Sequence, residues 1–344
     1  MKAVVFKGQG HVAVEERPAP RIEEPTDAIV RVSMAAICGT DVRVLQGRIP
    51  GAPDAIIGHE FCGVIEDVGP EVTGLKPGER VVSPFSVFCG GCFYCKKGLL
   101  TACERRQVYG FGALGGAQAE FVRVPSATAV LEKLPDAITD TQAAFLSDIL
   151  PGTFAGLQLA GLAAGDSVAV VGCGPTGVCT QLLARAMGAA TVIGIDRHAS
   201  RLAAAERLGS AAVSMESGDP LSRVRGATGG RGADLAVEAT GTLAGLVAAS
   251  ALARPWGTLL SLGVGIERAG EFPAGSLAGR HVKLVPAGIP PVKNYIEPLM
   301  KMLANGVIDP SPIATHILPL EEAPRGYDLM AGRRDGALKV LLKP

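Results

Sequence analysis

The stretch SVAVVGCGPTGVCTQLLARAMG (167–188) decides the fold. It begins with a short apolar run bounded by glycine, the pattern of a strand buried on both faces. Gly172, Gly174 and Gly177 then spell G-x-G-x-x-G, with Pro175 and Thr176 between the last two. The remainder is an apolar-faced helix closed by Gly188. TVIGID (191–196) follows as a second buried strand and ends on Asp196. A glycine loop between strand and helix, with an acidic residue at the end of the next strand, is the context of a dinucleotide site. Gly172 allows the tight turn, Gly174 lets the backbone approach a pyrophosphate, and Gly177 lets helix and strand pack closely. The pyrophosphate would meet the positive end of the helix. Asp196 would accept from the adenosine ribose hydroxyls and repel a 2′-phosphate, which favours NAD over NADP. Arg197 either reaches a 2′-phosphate or covers the adenine face. An ordinary strand–helix turn with an incidental acid is the plainer alternative, and the full context outweighs it.

Reading outward, strands and helices keep alternating: SRLAAAERLG (200–209), AAVSM (211–215), a helix near 219–226, DLAVEAT (234–240), a helix over 243–252, GTLLSLG (257–263) and HVKLVPAG (281–288). This predicts βαβ units and a doubly wound parallel sheet, an α/β domain over 151–290. Residues 1–150 differ. MKAVVF, HVAVEE, DAIVRVSMAAI, CGVIEDVG and ERVVSP are short strands broken by Gly and Pro, as in a distorted β-barrel. Residues 291–344 give an amphipathic helix, VKNYIEPLMKMLANG, a short helix near 320–331 and a last strand, ALKVLLK, expected to rejoin the first domain.

Two metal sites are expected in residues 1–150. CGGCFYCKKGLLTAC (89–103) brings Cys89, Cys92, Cys95 and Cys103 into one short lobe with Gly90, Gly91 and Gly98 to turn the backbone. Four thiolates at such spacing suit a closed, structural zinc better than two disulfides. The second set is dispersed: Cys38 in AAICGTD, His59 and Glu60 in IIGHEF, and Asp148 in FLSDILPG. One Cys, one His and one carboxylate leave a coordination position open, which is what zinc catalysis requires. Taken singly, His59 reads as an interior histidine and Asp148 as a helix cap.

Formal net charge is zero, which argues against nucleic acid or an anionic membrane as partner. No apolar run spans a bilayer, and MKAVVFKGQG lacks the pattern of a signal peptide. With eight cysteines, a reducing cytoplasm is expected. Cys62, Cys173 and Cys179 sit in apolar runs, as small core residues do. Aromatics are only 4%, so the core is expected to be aliphatic.

The order Cys38, His59–Glu60, the four-cysteine lobe, Asp148, the glycine loop and Asp196 resembles the zinc-dependent alcohol dehydrogenases of the medium-chain dehydrogenase/reductase superfamily over essentially the whole chain. The resemblance implies a GroES-like catalytic domain, a Rossmann domain, an active site in the cleft between them, and NAD(P)-dependent oxidation of an alcohol to an aldehyde or ketone. It places Cys38, His59 and Asp148 at the catalytic zinc, Glu60 behind that zinc, and Thr40 as the hydroxyl that passes on the substrate's proton. Many members carry a His where this chain has Arg43, which stays protonated and can only donate. Arg43 is therefore expected to bind a cofactor phosphate instead. Phe85, Tyr109 and Phe111 are candidates for either pocket wall or core. The resemblance also implies two zinc ions per chain, a small-molecule substrate and, from the missing insertion and the apolar HVKLVPAG strand, a homotetramer. Polyol, amino-alcohol (threonine-type) and formaldehyde-type dehydrogenases share these motifs. A zinc-binding module without catalysis is a further alternative, against which the intact glycine loop argues.

Overall fold

The computed structural model describes residues 1–264, 272 and 274–344. It divides into two compact units. One is Met1–Pro151 with Pro291–Pro344, and the other is Gly152–Pro290. The final segment thus belongs with the N-terminal part of the chain.

In the second unit, six parallel strands lie in the order Ala211–Ser214, Thr191–Asp196, Ser167–Val171, Ala233–Glu238, Ala253–Ser261, Lys283–Pro286. Numbered along the chain this is 3-2-1-4-5-6, the doubly wound order, with its switch point between Ser167–Val171 and Ala233–Glu238. All five residues of Ser167–Val171 are buried, which is why that strand reads as an unbroken apolar run. The buried members of the surrounding cluster, among them Val171, Ile193, Ile195, Ala236 and Leu259, are aliphatic throughout. Helices Pro175–Ala186, Ala199–Arg207, Pro220–Ala227 and Leu243–Leu252 join the strands.

The described residues of the first unit form a seven-stranded sheet around Ala28–Ile37, which pairs antiparallel with Glu60–Val68, Phe121–Val124 and the last strand, Lys339–Lys343. The hairpin Lys2–Gly8 and His11–Glu16 is joined to the rest by isolated bridges, Ala3 to Ala119 and Val5 to Ile56, so the barrel wall is not one continuous ladder. Register shifts at Ile29/Val30 and Val32/Met34 bend the central strand. The few aromatics gather here: Phe61, Tyr109 and Tyr327 are fully buried. Among the described residues no single helix is long and apolar enough to cross a membrane.

Candidate active site and metal centres

Helix Gly39–Leu45 begins at Cys38. The Cys38 sulfur accepts from the Thr40 backbone N–H at 3.5 Å, while the Cys38 N–H donates to Asp41 Oδ2 at 2.9 Å. This reciprocal cap fixes the thiol at the helix mouth. His59 is the residue before strand Glu60–Val68 and is 3% exposed. Gly58 precedes it with φ +91°, and a Cβ there would lie 2.3 Å from Gln118 Cγ, so only glycine serves. Asp148 falls in the break between helices Asp140–Leu146 and Ile149–Ala160. Its neighbour Ser147 pins that break, donating to the Ser83 carbonyl at 2.6 Å and accepting from Phe61 N–H at 3.2 Å.

These elements bring ligand atoms of Cys38, His59, Glu60 and Asp148 within 4.8 Å of one another. His59 Nε2 and Asp148 Oδ2 are 3.7 Å apart. Tetrahedral zinc, with bonds of about 2.0–2.2 Å to N and O, wants such atoms roughly 3.4 Å apart, so small movements close the site around an ion. Burial disfavours the His59 imidazolium, but the Asp41 and Cys38 negative charges overcome it and lift its pKa well above the usual range. Burial likewise raises the Cys38 thiol, helped by Glu60. Glu60 is fully buried and ion-paired with Lys339, itself 1% exposed. Burial pushes the Glu60 carboxyl up while Lys339 opposes it. With Glu60 balanced by Lys339, the thiol of Cys38, the imidazole of His59 and the carboxylate of Asp148 are a donor set suited to a divalent cation, whose binding would displace the protons that Cys38 and His59 otherwise hold.

Asp41 and Lys339 were not legible as site residues in the sequence. Asp41 Oδ1 lies 3.1 Å from His59 Nδ1, close but off the axis of a well-formed hydrogen bond. A carboxylate on the far nitrogen of a ligating histidine fixes its tautomer and orientation. Its one sequence signal is its place three residues after Cys38, where a capping box puts an acid. Thr40 is half-buried beside Cys38, and Arg43 is half-buried in the helix's last turn. The Phe85 and Phe111 rings lie 6.4 and 6.0 Å from the His59 ring. Tyr109 is core: it is wholly buried, packs edge-on against Phe61 and shares a 3.0 Å hydrogen bond with Ser83.

In the cysteine lobe, the Cys89 sulfur is 3.9 Å from that of Cys95 and 3.6 Å from that of Cys103. A tetrahedron of sulfurs at about 2.3 Å from zinc has edges of roughly 3.8 Å, whereas a disulfide needs about 2.0 Å. The lobe also stabilises thiolates. The Gly91 and Cys92 backbone N–H groups and the Arg105 side chain bring Cys89 down to about 6, and Cys103 accepts from the Cys89 and Arg105 N–H groups at 3.4 Å each. Burial holds Cys95 up at about 12, which a bound cation would reverse.

In the second unit, Gly172 has φ +99° at the end of its strand, and a Cβ there would lie 2.8 Å from Thr240. Pro175 opens the helix, where its missing N–H costs nothing, with Thr176 next to it. At Gly174 a Cβ would meet only the Arg201 guanidinium at ordinary contact distance, so the protein itself does not demand glycine there. Gly177 is different: its Cβ would lie 1.7 Å from the Gly172 carbonyl oxygen. Gly177→Ala is therefore expected to push helix and strand apart, destabilise the unit by about 1–3 kcal/mol and weaken cofactor binding. Chemical denaturation and a cofactor titration would register both. Asp196 is 5% exposed and accepts from Cys173 N–H at 2.8 Å and from His198 N–H at 2.9 Å. Arg197 points to solvent, and the cation nearest Asp196 is Arg201, with Nη1 at 3.8 Å. Arg201 sits in the first turn of the next helix, Ala199–Arg207, outside the glycine motif itself. Cys62, Cys173 and Cys179 are all fully buried.

Residues 24–136 match the family model for the alcohol dehydrogenase GroES-like domain, and residues 175–305 match that for zinc-binding dehydrogenases. Among solved structures, the alcohol dehydrogenase TADH from Thermus sp. ATN1 superposes with a TM-score of 0.94 at 42% identity, covering 100% of this chain and 99% of that one. An alcohol dehydrogenase of Cupriavidus necator is 36% identical across 100% of this chain and 99% of its own. The L-threonine 3-dehydrogenase of Bacillus licheniformis is 32% identical over 100% and 99%. Full-length likeness of this order, on a chain whose cysteine, histidine and carboxylate groups converge as described, makes this chain a zinc-type alcohol dehydrogenase of the medium-chain dehydrogenase/reductase superfamily.

Proposed function

We propose that the protein transfers a hydride between a primary or secondary alcohol and NAD, giving an aldehyde or ketone, with one catalytic and one structural zinc per chain. The observation that carries this is the convergence of Cys38, His59, Glu60 and Asp148, whose ligand atoms lie within 4.8 Å of one another. Cys38, His59 and Asp148 would hold the catalytic zinc, and Cys89, Cys92, Cys95 and Cys103 the structural one. Zinc in the first site supplies a Lewis acid that makes a substrate hydroxyl more acidic, and NAD supplies the hydride acceptor. The chain's own part is to orient and to move the proton. Asp41 sets the His59 ring, Lys339 holds Glu60, and the Thr40 hydroxyl takes up the substrate's proton. Gly172, Gly174, Pro175, Thr176 and Gly177 present backbone to the pyrophosphate, Asp196 receives the ribose hydroxyls, and Arg43 contacts a phosphate, with Arg197 at the adenine. The catalytic domain would comprise 1–150 and 291–344, and the cofactor domain 151–290. Thiolate ligands of this kind require a reducing compartment such as the cytoplasm.

A panel of alcohols and carbonyls, followed by cofactor absorbance with NAD and with NADP, tests the reading. Absence of turnover on every member with both cofactors would sink it. The threonine dehydrogenase relative favours an amino-alcohol as the second reading, so threonine and a polyol belong in the panel.

We also propose a homotetramer. Lys283–Pro286 is a sheet edge with Leu284 43% exposed, and the nearby Trp256 is 73% exposed and stacked on His281. An apolar edge of this kind is an aggregation hazard unless another copy pairs with it. Light scattering is expected to give four times the chain mass, and a monomer would refute the assembly.

A further inference from the structure

Two buried side chains lie one and two steps behind Asp41. Gln118 is wholly buried, and its Nε2 donates to the Ala36 carbonyl at 3.1 Å and to Asp41 Oδ2 at 3.3 Å. Its Oε1 accepts from the Tyr327 hydroxyl at 2.8 Å, and Tyr327 is 1% exposed. The polarity of this chain is fixed. Turning the Gln118 amide over would set its oxygen against a carbonyl and a carboxylate, so Nε2 must face Asp41 and Tyr327 must donate. Cys38 N–H also donates to Asp41 Oδ2. Both donors therefore act on Oδ2, which leaves Oδ1 directed at His59 Nδ1, 3.1 Å away. Gln118 further packs against Gly58, the residue before His59.

We infer that Gln118 and Tyr327 are positioning residues for the catalytic metal site: they lock the Asp41 carboxylate, and through it the tautomer and ring orientation that present His59 Nε2 to the ion. This deepens the proposed function and rests on His59 being a zinc ligand. Tyr327 lies in helix Ala323–Gly332, so the C-terminal segment would tune a centre whose ligands lie within the first 150 residues. The Tyr327 hydroxyl, both ends of the Gln118 amide and Asp41 Oδ2 are all hydrogen-bonded, and in so dry a setting the loss of one link is transmitted rather than absorbed by water.

The test uses the zinc-loaded full chain and a coloured zinc chelator, which reads release from the two sites as separate phases. Tyr327→Phe keeps the ring and removes only the hydroxyl. It is expected to weaken the catalytic-site zinc about 10-fold or more, in the range found for such outer groups, and to leave the four-cysteine site unchanged as an internal control. Gln118→Met should do the same more strongly. The double variant should be no weaker than Gln118→Met alone, because one chain carries both effects. Equal loosening of both zinc sites, or additive effects of the two substitutions, would show general destabilisation and overturn the inference. So would unchanged release from the catalytic site in both variants. A wild-type chain that releases only one zinc would instead bring down the underlying reading of His59 as a ligand, a result distinct from any variant's.

Discussion

Replacing His59 by alanine is expected to leave one zinc per chain and to lower kcat/KM by roughly three orders of magnitude, the equivalent of about 4 kcal/mol of transition-state stabilisation. The size follows from the donor set. In the proposed site Cys38, His59 and Asp148 would be three ligands with one position left for substrate, and a two-ligand remainder would not hold zinc in competition with solvent. Glu60 is the nearest carboxylate that could substitute, but its pairing with buried Lys339 holds it back. Taking Glu60 from Lys339 would leave an uncompensated buried cation, which costs several kcal/mol. The lobe of Cys89, Cys92, Cys95 and Cys103 has no open position, so Cys92→Ser should behave oppositely, costing stability or assembly before turnover. Metal analysis of the two variants, set beside their steady-state kinetics and melting curves, separates the roles. One zinc per fully active wild-type chain would remove the two-site reading.

What could and could not be read in advance follows from sequence distance. The glycine loop, its strand and helix, and Asp196 lie within thirty residues, and their pattern is set by local backbone demands. The cysteine lobe is equally local. The cluster of Cys38, His59, Glu60 and Asp148 was legible only through the types of residue and their order. The pairings behind that cluster were not legible: Gln118 meets Asp41 across 77 positions, Tyr327 meets Gln118 across 209, and Lys339 meets Glu60 across 279. No period or spacing encodes such pairings, because the folded chain alone brings them together. Lys339 did leave a trace, as a lysine within the apolar ALKVLLK, where a charge signals a buried partner. Tyr109 shows the opposite limit. A tyrosine near zinc ligands in sequence reads equally as pocket wall or core, and only its bond to Ser83 and its contact with Phe61 settle it as core.

The choice of cofactor should turn on Asp196. Its carboxylate is already engaged, with Oδ2 on the Cys173 N–H and Oδ1 on the His198 N–H. A carboxylate offers about four lone-pair sites, so two acceptor directions remain for ribose hydroxyls while the first two tie the glycine loop to the end of the neighbouring strand. Asp196→Gly removes both functions. A lost hydrogen bond to a charged group is worth about 1.5–3 kcal/mol, so NAD should bind on the order of 10- to 100-fold more weakly. For NADP the balance runs the other way. The like charge that repels a 2′-phosphate is gone, and the guanidinium groups of Arg201, whose Nη1 lies 3.8 Å from the Asp196 carboxylate, and of the exposed Arg197 put positive charge beside the place that phosphate would take. The ratio of kcat/KM for NAD to that for NADP is therefore expected to fall by roughly two to four orders of magnitude, by the sum of about 1.5–3 kcal/mol lost on one cofactor and a similar amount gained on the other. Asp196→Asn is the informative companion. It keeps the size but turns part of the acceptor into an N–H donor facing backbone donors, so it should weaken both cofactors through the loop while moving the ratio less than glycine does. Equal kinetics with NAD and NADP in the unmodified protein would mean that the Asp196 charge is spent entirely on Cys173 and His198, and that it selects nothing.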